Sequence, residues 1–139
     1  MVWLMIVIDS NIWIFGELEN AAEHAEALKK YEEAIRNDRI VINAIIVSEV
    51  FHKLNVLVNS VAAANKINNI LNGEKIDFIE FTAENLMRAV KLARDFKMRI
   101  NDAMIAQQAL ETGASVLTDN VKDFKKVGAL KVIPLRSAH

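Results

Sequence analysis

The sequence predicts an α/β fold, a three-layer α/β/α sandwich with a mostly parallel central sheet, and three observations support this prediction. Short apolar runs alternate along the chain with segments whose apolar residues recur at helical spacing, as in strands joined by helices. The first run, Leu4–Ile8, is apolar throughout, as in a central strand buried on both faces. The 139 residues include one proline and four glycines, with no flexible linker, so we expect one domain over residues 1–139.

Helix caps separate the predicted elements in the first half of the chain. Residues 9–11, Asp-Ser-Asn, are capping types, so we expect a helix or a turn to begin directly after the first strand. Asn43 and Ser60 are likewise placed to cap two later helices, and Gly73 to end the second of them. The elements predicted here are strands at 4–8 and 39–42 and helices at 21–37, 44–57 and 61–71.

The same alternation continues through the second half of the chain. Thr82 is placed to cap one helix, and Asp102 to open another that Gly113 ends. Pro134 cannot donate a backbone hydrogen bond, so it predicts that the last strand lies at an edge of the sheet. The elements predicted here are strands at 76–81, 115–118 and 131–135 and helices at 83–96 and 103–111.

Composition and charge exclude several classes of protein. The chain has no cysteine, which rules out disulfides, thiolate metal sites and a cysteine nucleophile. Its 17 basic and 18 acidic side chains give a formal net charge of −1, so any polyanion must be bound by local basic groups. The apolar residues 1–8 lack the basic start and cleavage site of a signal peptide and are too short to cross a membrane. We therefore expect a cytoplasmic protein with no membrane partner.

Acidic residues follow the predicted strands. Asp9 ends the first strand, residues 119–123 follow the fourth, and Asp102 begins a helix. Each has an ordinary explanation as a helix cap or a turn residue. Glu49 lies in a stretch that is apolar nearly all round, so we expect it to be buried, where a carboxylate needs a partner. Because ligands bind beyond the carboxyl ends of parallel strands, we expect the acids to converge in one cleft.

A cluster of carboxylates favours a bound cation. Like charges raise each other's pKa and destabilise the fold unless a cation neutralises them. Oxygen-only ligands suit Mg²⁺ or Mn²⁺. The sequence therefore predicts a divalent metal site at this edge of the sheet.

Four motifs stand in order along nearly the whole chain: IVIDSN at 6–11, VSEV at 47–50, NDAMIA at 101–106 and TDNVKDF at 118–124. Together they resemble the PIN domain, and specifically a VapC-type toxin. The resemblance implies a Rossmann-like sandwich with Mg²⁺- or Mn²⁺-dependent endoribonuclease activity that leaves a 5′-phosphate. It also implies a homodimer that a small VapB-type antitoxin neutralises.

The resemblance also implies roles for individual residues. Asp9 and Asp102 match the family's principal metal-binding aspartates, and Glu49 matches its acidic helix residue. The fourth acidic position of the family is Asn120 in this sequence, which can offer a metal its amide oxygen but no charge. A second metal would therefore need a carboxylate from Asp119 or Asp123. We expect Asp9 and Asp102 to hold the metal, and Glu49 with the Asp119 region to orient it or the attacking water.

Basic residues near this turn are candidates for RNA binding. Lys122, Lys125 and Lys126 flank it and are placed to contact phosphates on either side of the cut. A second set of cations recurs at every third position along the helix predicted at 83–96. This set is consistent with either an RNA-binding face or a solvated helix face. Its members are Arg88, Lys91, Arg94 and Lys97.

Apolar residues beyond the needs of one core suggest partners. The helices at 44–71 carry surplus aliphatic side chains, which predicts a homodimer interface and an antitoxin groove nearby. Trp3, Trp13 and Phe15 are expected in the core or in dimer contacts.

Two other functions fit the same residues. Because Asn120 replaces an acid, the chain also fits a catalytically weakened PIN-like module that binds RNA or a protein. A third candidate is a small phosphohydrolase that acts on free nucleotides. Metal binding at Asp9 distinguishes a nuclease from the weakened module, and turnover of mononucleotides identifies the phosphohydrolase.

Overall fold

The structure is a computed structural model that describes residues 4–136, so Trp3 lies outside the described residues. The strands in this range are β1 (Leu4–Ile8), β2 (Asp38–Ile42), β3 (Ile76–Phe78), β4 (Ser115–Thr118) and β5 (Val132–Pro134). The helices are α1 (Ser10–Glu17), α2 (His24–Asn37), α3 (Ala44–Leu57), α4 (Ser60–Leu71), α5 (Ala83–Phe96), α6 (Ile100–Thr112) and α7 (Val121–Phe124).

The five strands form one sheet in the order β3-β2-β1-β4-β5. Every pairing is parallel, so the predicted mostly parallel sheet is parallel throughout the described residues. β1 is central, as its apolar sequence predicts. β5 lies at an edge of the sheet, which confirms the position predicted from Pro134.

Helices cover both faces of the sheet. Consecutive residues of a strand point to opposite faces, yet Val7 and Ile8 of β1 are both 0% exposed, and so are Val41 and Ile42 of β2. A strand with both faces buried needs a helical layer on each side. The structure is therefore the predicted α/β/α sandwich, and Trp13, 4% exposed, belongs to its core.

Two N-terminal caps differ from the predicted ones. Asn59, not Ser60, caps α4, since its Oδ1 accepts a hydrogen bond from the N–H of Ala62 at 2.7 Å. α6 begins three residues before the predicted start, with Arg99 at its N-cap. Asp102 therefore lies inside the first turn of α6 instead of preceding the helix, where its charge interacts favourably with the helix dipole.

Two other boundaries are shorter than their sequence patterns. α2 begins at His24 because residues 21–23 form a turn, in which the N–H of His24 donates to the carbonyl of Ala21. β3 ends at Phe78, although the alternating pattern continues to 81. The predicted end of α6 is confirmed, since Gly113 adopts φ +70°, a conformation that glycine adopts without strain.

The adjacent carboxyl ends of β1 and β4 form the edge on which the acidic residues lie. Ile8 pairs with Leu117 in the sheet, and the N–H of Asp9 donates to the carbonyl of Leu117 at 2.9 Å. Asp9 and Thr118 therefore leave the sheet side by side. Within residues 4–136 no helix has the length and apolarity needed to cross a membrane.

Candidate active site

Asp9 lies where β1 ends and caps the N-terminus of α1. Its Oδ1 accepts a hydrogen bond from the N–H of Ser10 at 2.8 Å. Its Oδ2 accepts one from the hydroxyl of Thr118 at 2.7 Å and one from the amide of Asn11 at 3.3 Å. Burial raises the pKa of Asp9 above its usual range, although these hydrogen bonds oppose the rise.

Thr118 and Asn11 join the two strand ends, a role that sequence reasoning did not assign to them. The Thr118 hydroxyl accepts the N–H of Asn120 at 2.9 Å while it donates to Asp9. The amide oxygen of Asn11 accepts the N–H of Asp119 at 3.2 Å. Both residues lie within the four motifs, but their role depends on the pairing of β1 with β4, which sequence spacing alone does not reveal.

Asp102 projects from the first turn of α6 and is 8% exposed. The side-chain amide of Asn120 donates to its Oδ2 at 3.4 Å. Burial is the main cause that raises the pKa of Asp102, and the nearby charge of Asp9 raises it further. The positive charges of Arg99 and Lys126 oppose this rise.

Glu49 lies on α3 and faces the same carboxylates. Burial raises its pKa, and the charges of Asp9 and Asp102 add to the rise, while Ser10 and Arg99 oppose it. Glu49 is half-buried and thus less buried than its apolar surroundings predict. The reason is that α3 buries only one stripe, formed by Ile46, Val50 and Leu54, and Glu49 lies beside that stripe.

Asp119 binds an arginine. Arg136 donates from Nε to Oδ1 of Asp119 at 3.1 Å and from Nη2 to Oδ2 at 3.0 Å. Nearby charges shift the pKa values of Glu49 or Asp102, and they belong to Asp9, Asp102, Asp123 and Arg99. The charge of Asp119 is not among the causes of these shifts. The structure therefore brings Asp9, Glu49 and Asp102 together and holds the Asp119 carboxylate in a separate ion pair.

Asn120 and Asp123 complete the predicted set of site residues. Asn120 contacts Asp102 through its amide, as described above. Asp123 forms an ion pair with Lys126 at 3.4 Å. Hydrogen bonds from Asn120 and Lys126 hold the pKa of Asp123 below its usual range.

The donor set suits a hard divalent cation. Asp9, Glu49 and Asp102 offer only oxygen atoms, and burial raises the pKa of each, so a bound cation would stabilise their charged forms. Among the residues that the structure describes, no group of three or more His, Asp or Glu side chains is arranged to hold a metal ion. Mg²⁺ needs only one or two carboxylates when waters and substrate phosphates complete its shell, so Asp9 and Asp102 fit as a pair.

The two sets of cations differ in their pairing. On α5, Arg88 forms ion pairs with Glu84 and Glu111, and Lys91 pairs with Asp95 at 3.7 Å. These contacts favour a solvated face at Arg88 and Lys91, whereas Arg94 and Lys97 form no ion pair within the described residues. Beside α7, Lys122 and Lys125 are exposed and form no ion pair within residues 4–136. They remain available to an anion, as does Arg99, which is exposed, forms no ion pair within the same residues and lowers the pKa values of Glu49 and Asp102.

Comparison with known proteins adds a family and a relative. A family model described as the PIN domain matches residues 6–130. A curated relative, Ribonuclease VapC2 of Rickettsia felis, is 21% identical over 129 residues. That alignment covers 89% of this chain and 92% of the relative.

Solved structures with the same fold include three from bacteria. VapBC2 from Rickettsia felis, bound to a DNA fragment from its promoter, has a TM-score of 0.75 and 19% identity, and the match covers 94% of this chain and 98% of that one. The Sarcin-Ricin loop cleaving toxin VapC20 of Mycobacterium tuberculosis scores 0.73 at 17% identity, covering 88% and 95%. VapBC-1 from nontypeable Haemophilus influenzae scores 0.71 at 23% identity, covering 95% and 98%.

Proposed function

Because this chain belongs to the PIN domain family, we propose that it is a metal-dependent endoribonuclease and the toxin of a type II toxin-antitoxin pair. The observation that carries the proposal is the meeting of buried Asp9 and Asp102 with Glu49, each with a raised pKa. The name of the curated relative, a ribonuclease at 21% identity, supports the same activity.

In this proposal Asp9 and Asp102 hold Mg²⁺ or Mn²⁺. The ion, when bound, lowers the pKa of a water molecule and neutralises charge that develops on the phosphate. Thr118 and Asn11 fix the Asp9 carboxylate, so its orientation is set before substrate arrives. Asn120 does the same for Asp102 through a hydrogen bond.

Glu49 is the group we assign to the attacking water. It is half-buried and faces Asp9 and Asp102. Its raised pKa brings its proton affinity closer to that required of a base at neutral pH. Glu49 would orient the water and accept its proton as the water oxygen bonds to phosphorus. The bond from phosphorus to the 3′-oxygen breaks, and that oxygen takes a proton from solvent and leaves as a hydroxyl, so the other product carries a 5′-phosphate.

The activity is tested with a defined RNA pool in Mg²⁺ or Mn²⁺, comparing the wild type with Asp102→Asn. We expect the wild type to cut RNA and the variant to lose cleavage by at least about 100-fold, because disturbing even an outer partner of a metal ligand costs about 10- to 100-fold. Sequencing of the products locates the cut and identifies the end groups. Equal rates for both proteins would show that Asp102 has no part in the reaction.

Two further outcomes would replace the proposal. Wild-type protein that binds RNA but leaves it intact in both metals would favour a weakened binding module, an interpretation supported by the amide of Asn120 at the fourth acidic position. Turnover of mononucleotides without cleavage of RNA would indicate a nucleotide phosphohydrolase.

Lys122 and Lys125 are proposed to contact RNA phosphates. In an Asp102→Asn background, which prevents cleavage, Lys122→Gln/Lys125→Gln should reduce the slope of log affinity against log salt by about 1.4, since each phosphate contact on a single strand contributes about 0.7. The control Lys29→Gln/Lys30→Gln removes the same charge from α2. Slopes that are equal in the two doubly substituted proteins would exclude these contacts.

A homodimer is proposed from the exposed apolar face of α3, α4 and the link between them. Its side chains are 39–68% exposed, more than an isolated domain needs to expose. They are Phe51, Val56, Leu57, Val58 and Val61.

Light scattering tests this interface. Leu57→Asp/Val61→Asp should convert a dimer into a monomer at micromolar concentration, because the new carboxylates would be buried without partners. Lys29→Glu changes the charge at an exposed position of α2, outside this face, and should leave the dimer intact. A monomeric wild type would contradict the proposal.

A VapB-type antitoxin is the proposed protein partner. An open groove where α1, α2 and α4 meet is lined by Trp13, Leu28, Tyr31 and Lys66. Lys66 lies 5.5 Å from the centre of the Trp13 ring and forms an ion pair with Glu17 at 2.7 Å. An apolar side chain presented by an antitoxin segment matches this lining.

A further inference from the structure

The carboxyl ends of β4 and β5 bring Arg136 beside the acidic loop. Thr118 pairs with Pro134 in the parallel ladder. The N–H of Leu135 donates to the carbonyl of Thr118 at 3.0 Å, and Leu135 is 0% exposed. Asp119, which directly follows Thr118, and Arg136, which directly follows Leu135, therefore emerge from a fixed backbone.

Arg136 bridges two carboxylates from different parts of the chain. Its bidentate contact with Asp119, at 3.1 and 3.0 Å, matches the fork geometry of a guanidinium group. Its Nη2 also lies 3.4 Å from Oε2 of Glu23, the N-cap residue of α2. The acids are the more buried partners, since the side chains of Glu23 and Asp119 are 19% and 24% exposed against 63% for Arg136.

The loop that carries Asp119 is held on its other side as well. Asn11 accepts the N–H of Asp119, and Thr118 accepts the N–H of Asn120. The side chain of Asn120 then reaches Oδ2 of Asp102. Backbone and side-chain contacts thus fix Asn120. This residue connects Asp119, which binds the arginine, to Asp102, the carboxylate that we assign to the metal.

We propose that Glu23, Arg136 and Asp119 form an ion triad that positions Asn120 against Asp102, so that Arg136 is a positioning residue and Asp119 is an anchor instead of a metal ligand. This inference rests on the proposed function, because it assigns a role relative to the proposed metal pair. Arg136 already compensates the negative charge of the Asp119 carboxylate through both oxygens, which makes Asp119 a weaker metal ligand than Asp9 or Asp102.

The test is a double-mutant cycle on the full chain with Asp119→Asn, Arg136→Ala and the combined variant. Manganese titration by calorimetry and thermal unfolding are measured beside RNA cleavage. We expect each single variant to weaken Mn²⁺ binding by about tenfold, and the combined variant by no more than either single one, because all three break the same contact.

Arg136→Lys should recover only part of the affinity, since an ammonium group cannot make the bidentate contact. Arg36→Ala, an exposed arginine of α2, is the matched control and should bind Mn²⁺ as the wild type does.

Other results would overturn the triad. Loss of Mn²⁺ binding in Asp119→Asn with normal binding in Arg136→Ala would identify Asp119 as a ligand. Lowered melting temperature with unchanged Mn²⁺ affinity in all three variants would reduce the triad to a structural contact. If the wild type cuts no RNA but the cycle still shows coupled Mn²⁺ affinities, the triad stands and the proposed activity fails.

Discussion

Asp9→Asn is expected to reduce RNA cleavage by at least about 100-fold in saturating Mn²⁺, judged from the cost of disturbing even the outer partners of a metal ligand. Asparagine keeps the size of the side chain and an oxygen that accepts the N–H of Ser10, but it removes the negative charge. The rate of cleavage of a defined RNA measures the effect. Retention of the wild-type rate would exclude Asp9 from the reaction.

The same substitution separates loss of activity from loss of folding. The buried carboxylate of Asp9 carries a raised pKa, which means that its charge destabilises the metal-free fold at neutral pH. We therefore expect Asp9→Asn to have a free energy of unfolding at least equal to that of the wild type, as often occurs where an active site sacrifices stability. Urea unfolding at pH 7.5 without metal provides this comparison.

Removal of divalent metal should abolish cleavage and expose a pH-dependent loss of stability. The ordinary pKa values are 3.8 for Asp9 and Asp102 and 4.5 for Glu49, and all three are raised in the fold. Between the ordinary and raised values the folded state binds more protons than the unfolded state, so the free energy of unfolding falls as pH rises. We expect metal-free protein to lose stability from about pH 4 upward until the raised pKa values are passed.

Metal should reverse this loss at neutral pH. Mn²⁺ at 100 times its Kd is expected to add about 2.7 kcal/mol to the free energy of unfolding, and less in acid, where protons compete for the carboxylates. Asp38, whose pKa is also raised by burial, contributes to the slope of the wild type. The difference between the wild type and Asp9→Asn isolates the site, and identical pH profiles for the two proteins would contradict the prediction.

The fold was accessible from sequence because its strongest signals are local. The uninterrupted apolar run of β1 and the caps Asn43 and Thr82 act within a few residues, so pattern and structure agree. The start of α6 was missed because Arg99, which makes no side-chain capping bond, is not a typical N-cap residue.

The site was predictable only in part. Its acids can be recognised from residue type and local position, whereas its supporting contacts depend on which strands pair. Asp9, Glu49 and Asp102 stand out in sequence as carboxylates at strand ends or on an apolar helix. The Asp119–Arg136 contact depends on β4 pairing with β5, and its arginine lies 17 positions away. No residue spacing in the sequence indicated that Asp119 would be held by a cation.

The bond between Asp9 and Thr118 has a consequence for synthesis of the protein, because it joins residues 109 positions apart. A growing chain presents Asp9 early, but its partner on β4 is added 109 positions later. Strand pairings between distant residues also form late in folding, since closing a long loop costs entropy before the contact is gained. A nascent chain that has not yet added β4 would therefore hold Asp9 without this partner, so the proposed site becomes ordered only after the strand that carries Thr118 has paired.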